Sequence, residues 1–135
     1  MLTVDEEAIK VITKTITYTQ VQTGSTVNTL DLYTLPAGYA HESALTKATI
    51  AFSGGAIATV TSEIGITGSL AKYVIAPFDI KQTVGAAVHS IDNAVYLESY
   101  TGNTVIKVTF RSTGANLSAL TQGSVTFKIH IRKLK

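Results

Sequence analysis

The chain has no cysteine and no tryptophan among its 135 residues, and only two prolines. Without thiols there is neither a disulfide framework nor a thiolate metal site, and the redox compartment leaves no mark. Charge is scarce as well. Asp, Glu, Lys and Arg make up 15% of the chain, with 11 cations against 9 carboxylates and a net charge of +2. A nucleic-acid binder concentrates its cations in a stripe; here the one basic cluster is the closing "KIHIRKLK". No apolar run nears the roughly 18–20 residues of a membrane helix. The opening "MLTVDEEAIK" is acidic and lacks an apolar stretch, so no signal peptide is read there. Thin charge is unusual on a free monomer and points to faces covered by neighbours; threonine and serine hydroxyls are the competing source of solubility.

What is abundant is Val, Ile and Thr, about a third of the residues. These β-branched types fit a pleated surface and lose side-chain freedom in a helix. Hydrophobic content of 45% and ten glycines fit one ordered domain rich in turns, spanning 1–135. Strand alternation runs along most of it. In "KVITKTITYTQ", Ile12, Ile16 and Tyr18 share a face with Lys14, and Val11 and the threonines take the other. "NTLDLYTL" is a second strand, closed by the turn "LPAG", in which Gly38 is free to adopt positive φ. "ESALTKATIAF" is compatible with helix or strand, and the alternation of Ala48, Ile50 and Phe52 favours a strand from about Leu45. "AIATVTSEIGI" follows, with Gly65 read as a bulge, and Pro77 belongs at a sheet edge or bulge. The final "SVTFKIHIRK" alternates most strictly, with Val125, Phe127, Ile129 and Ile131 on one face and Thr126, Lys128, His130 and Arg132 on the other. Eight to ten short strands with regular turns give an all-β, antiparallel two-sheet β-sandwich, jelly-roll-like, with residues 1–9 as a short N-terminal arm. Phe52, Phe110, Phe127, Ile129 and Ile131 are its expected core.

Chemistry is hard to find. Glu63 and Glu98 are separate strand carboxylates, a weak basis for a glycosidase pair. His41, His89 and His130 lack metal-ligand spacing and read as surface or satisfied histidines. "SGGAIATVTS" lacks the lysine of a phosphate loop, and no nucleophile elbow occurs. No catalytic residue, metal ligand or cofactor site is therefore assigned. Leu117 and Leu120, inside the connection "TGANLSALTQG", must tuck under a sheet end or meet a neighbour.

Three segments, "YTLPAGYAHESALTKATIAFSGG", "VTSEIGITGSLAKYVIAPFDI" and "VTFRSTGANLSALTQGSVTFKIHI", together resemble small jelly-roll structural proteins of tailed bacteriophages. These are capsid decoration (cement) proteins and related tail or fibre jelly rolls. The resemblance spans roughly residues 28–132 and rests on the order of loose motifs. It implies a non-enzymatic virion protein on the capsid surface, a homo-oligomer, most simply a trimer, bound to the major capsid protein. Nucleic acid and membrane are not among the implied partners. The residues read as partner contacts are Leu2, Val4, Asp5, Glu6, Glu7 and Ile9 of the arm and Arg132, Lys133 and Lys135 of the basic end. The runner-up is a tail or head-fibre jelly roll touching a host glycan, and a carbohydrate-binding module comes third. Either would draw on Tyr33, Tyr39, Tyr73, Tyr96 and Tyr100 for a stacking surface.

Overall fold

The computed structural model of the chain describes residues 9–73, 77–81, 87–89 and 98–134. Eight strands run in order: β1 (Ile9–Thr17), β2 (Val27–Leu35), β3 (Tyr39–Ser53), β4 (Thr59–Gly65), β5 (Phe78–Asp79), β6 (Ala87–His89), β7 (Thr104–Thr113) and β8 (Gln122–Lys133). One sheet has the order β1-β8-β3-β6 and the other β2-β7-β4-β5. Each first-half strand meets its mirror partner, so β1 pairs with β8, β2 with β7, β3 with β6 and β4 with β5, all antiparallel. The chain is thus one long double strand rolled into two facing sheets, the jelly-roll-like sandwich expected from the alternation.

The core lies between the sheets. Phe52, Phe110, Phe127, Ile129 and Ile131 are all buried, as their faces predict. Phe52 from β3 and Phe110 from β7 stack across the gap, with ring centroids 6.4 Å apart, and so tie one sheet to the other. Each such side chain contributes about 1.5–3 kcal/mol when fully buried. The Leu117–Leu120 connection tucks inward: both leucines are buried. Its backbone is held by Leu117 N–H to the Ser25 carbonyl at 2.9 Å and Ser118 N–H to the Thr23 carbonyl at 2.8 Å.

Several local expectations are corrected. β3 is strand throughout and starts at Tyr39, six residues before Leu45; its helix-compatible beginning is pinned to β8 from Tyr39↔Lys133 onward. β1 begins at Ile9, the residue expected to close the arm, and ends at Thr17. Tyr18–Val21 then form a single helical turn, α1. Gly65 is no bulge, because β4 and β7 stay in register through Gly65↔Lys107. It is a close approach instead: a β-carbon there would collide with the Ser69 carbonyl oxygen and the Leu70 backbone, where the 66–71 turn folds back over the strand. The turn after β2 closes as read, with Gly38 at φ 79° and Tyr39 N–H donating to the Pro36 carbonyl at 3.1 Å. Pro77 immediately precedes β5, the edge strand of its sheet.

Candidate functional site

The residues read as contacts divide three ways. Leu2, Val4, Asp5, Glu6, Glu7 and Lys135 lie outside the described residues. Ile9 opens β1 directly across from Arg132 of β8. Arg132 is already engaged there. Its Nε and Nη2 donate to the two carboxylate oxygens of Glu42 at 3.0 and 3.1 Å, a bidentate clamp within the same sheet. Lys133 is exposed at the strand end.

The carboxylates offered for catalysis are each held by a cation. Glu63, buried on β4, accepts from Arg111 Nε at 2.6 Å. Glu98 pairs with Lys72 at 2.8 Å, and that hydrogen bond holds its carboxyl below the ordinary value. A general acid needs the opposite shift. The tyrosines are spent in a similar way. Tyr33, Tyr39 and Tyr73 are buried, and the half-buried Tyr100 shares a hydrogen bond between hydroxyls with Tyr73 at 2.8 Å. Burial, followed by that hydrogen bond, pushes the Tyr73 phenol well up. Tyr96 lies outside the described residues, so four of the five rings proposed for a glycan platform are packing elements.

His41 departs from the surface reading. It is fully buried on β3, its ring 4.1 Å from that of Tyr73 and its Nε2 hydrogen-bonded to the Tyr33 hydroxyl. Its Nδ1 has no hydrogen-bond partner among the described residues. Desolvation lowers its pKa from 6.5 to about 4, so it is neutral at pH 7. His130 lies outward on β8, its Nδ1 3.1 Å from Ser43 Oγ. No group of three potential metal-ligating side chains forms among the described residues.

A hollow of about 730 Å³ forms an open groove on the outer face of the β2-β7-β4-β5 sheet, bounded by Thr29, Glu63, Gly68, Leu70, Lys107 and Arg111. Both of its cations are neutralised locally: Arg111 by Glu63, and Lys107 by Asp31 at 2.7 Å. The outer face of the β1-β8-β3-β6 sheet differs. Because Phe127, Ile129 and Ile131 point inward, Thr126, Lys128 and His130 point outward, and their cross-strand partners share that side. It carries Thr13 and Thr15 on β1 and Leu45, Lys47 and Thr49 on β3. Three large apolar side chains stand exposed on it, Val11 at 53%, Leu45 at 37% and Ile50 at 50%. The alternation of β8 exposes its half of this face to sequence, whereas on β3 the register shift between Ala48 and Ile50 turns Ile50 outward, against the single face expected for Ala48, Ile50 and Phe52.

No protein-family model matches the chain, and no curated protein does. Solved structures do match in fold. A chain of the cyanophage Pam1 capsid asymmetric unit superposes with a TM-score of 0.63 at 19% identity, over 92% of this chain and 84% of that one. A chain of the capsid of Ralstonia phage GP4 does so with a TM-score of 0.61 at 16% identity, over 98% and 90% respectively.

Proposed function

We propose that the chain is a non-enzymatic structural protein of a phage virion that sits on the head shell as a decoration or cement protein. The observation that carries this reading is the fold, shared along nearly the whole chain with chains of two phage capsid assemblies. The side-chain inventory agrees with it. Each carboxylate offered for catalysis is ion-paired, and the groove is electrostatically closed. In this reading the protein assembles with itself, as a trimer, and with the major capsid protein. It reinforces the shell by contact and performs no chemistry.

The test is co-sedimentation of the purified protein with empty heads assembled from the shell protein of its own virion. Saturable binding that raises the temperature at which the heads open is the expected result. Heads that bind none of it, or virions that carry it only in purified tails, would refute the proposal. In the tail case the fibre reading takes its place.

A further inference from the structure

The two outer faces of the sandwich are electrostatically unlike. On the β2-β7-β4-β5 sheet every outward cation of the groove has a carboxylate partner. On the β1-β8-β3 face, Lys47 and Lys128 have none among the described residues. Among the described residues, the carboxylate pairing on that side is Glu42 with Arg132. Register places the two lysines diagonally: Leu45 is opposite Lys128, and Lys47 is opposite Thr126. Diagonal neighbours across two strands lie about 7–8 Å apart. The two side chains leave the sheet on the same side, and no carboxylate among the described residues pairs with either. They flank a shallow hollow of about 220 Å³ floored by Leu45, Thr49 and Thr126, with Ile50 and Val11 exposed on the same side.

We infer that this β1-β8-β3 face is the attachment surface, and that its partner is an acidic protein surface on the shell. Carboxylates of that surface would meet Lys47 and Lys128, and aliphatic side chains would meet Leu45, Ile50 and Val11. The inference rests on the shell-binding reading and adds which face is used and what it meets. Charge gives register and encounter rate, and the exposed aliphatics give the dry contact. Threonine hydroxyls around them suit a wet rim. A protein partner is favoured over nucleic acid because the described residues of this face show two unpaired cations, interleaved with aliphatics, and no exposed stacking ring.

The experiment compares three full-length variants in binding to the same empty heads. Lys47→Gln with Lys128→Gln removes two charges from this face. Val27→Glu with Val105→Glu makes the same net change, minus two, on the opposite outer face. Leu45→Ser with Ile50→Ser removes the apolar contact. Circular dichroism and a melt confirm that each is folded. The lysine pair is expected to weaken binding about tenfold at low salt and far less at high salt. The Leu45 and Ile50 pair is expected to weaken it at least about tenfold at either salt, and the opposite-face pair is expected to bind like the parent. If the opposite-face pair loses binding while the other two retain it, the docking face is misassigned although shell binding stands. If the parent itself does not bind, both readings fail. Competition by a double-stranded DNA fragment as strong as that of the heads would overturn the acidic protein partner.

Discussion

Acidification should loosen this sandwich through one residue, His41. Its ring is buried between Tyr33 of β2 and Tyr73 of the 66–73 turn, with Nδ1 unpartnered among the described residues. The folded state therefore resists protonating it until about pH 4, whereas an unfolded chain takes the proton near 6.5. Between these values the unfolded state binds more protons, so stability is whole above about pH 6.5 and falls as pH drops toward 4. At about 1.4 kcal/mol per pH unit, that interval amounts to about 3 kcal/mol. This is a large share of the 5–15 kcal/mol typical of a domain. Glu98, held low by Lys72, adds a loss of the same sign as pH falls through and below its ordinary 4.5. His41→Gln separates the two, since glutamine keeps a hydrogen bond to Tyr33 and does not titrate. Urea midpoints of the parent and variant, taken from pH 7.5 to 4, should converge as pH falls, with the parent losing about 3 kcal/mol more. Parallel curves across that range would refute the buried, neutral histidine.

Three further perturbations follow from packing. Phe127→Ala should cost about 3–5 kcal/mol in a denaturant melt, because the ring is fully buried; an unchanged midpoint would mean the face is misassigned. Gly65→Ala should destabilise by about 1–3 kcal/mol and expose the 66–71 turn to protease, since the new methyl meets backbone that cannot step aside. Retained protection of that turn would count against the close approach. Arg111→Met should cost about 1–3 kcal/mol, discounted for the half-exposed guanidinium, by leaving Glu63 buried without its cation. Adding Glu63→Gln should recover part of the loss, and a double variant no better than the single would argue against the pairing.

The parts of the fold visible in sequence are those governed by local periodicity. β8 alternates without interruption because one of its faces is core and the other solvent, and its central position lets no irregularity intrude. β3 was half hidden because its register shifts between His41 and Ser43 and again between Ala48 and Ile50. Each shift breaks the period-two pattern and moves later side chains to the other face. The same irregularity conceals His41, whose burial depends on rings 8 and 32 positions away. Gly65 shows a general ambiguity: a bulge and a close backbone approach both demand a missing β-carbon, and only tertiary contact separates them. Ion pairs are equally non-local. Arg132, read in sequence as a partner contact, is clamped by Glu42, 90 positions earlier in the chain. The docking face required knowing which lysines lacked such partners, which no spacing rule encodes.

The central claim, that this sandwich is a shell component, is tested most directly by electron cryomicroscopy of the virion that carries it. Density for the two-sheet fold is expected in repeated copies on the outside of the head, with the β1-β8-β3 face against the shell protein and Lys47 and Lys128 near its carboxylates. The same density at a tail tip, or heads whose outer surface lacks it while the protein is present in the particle, would contradict the account.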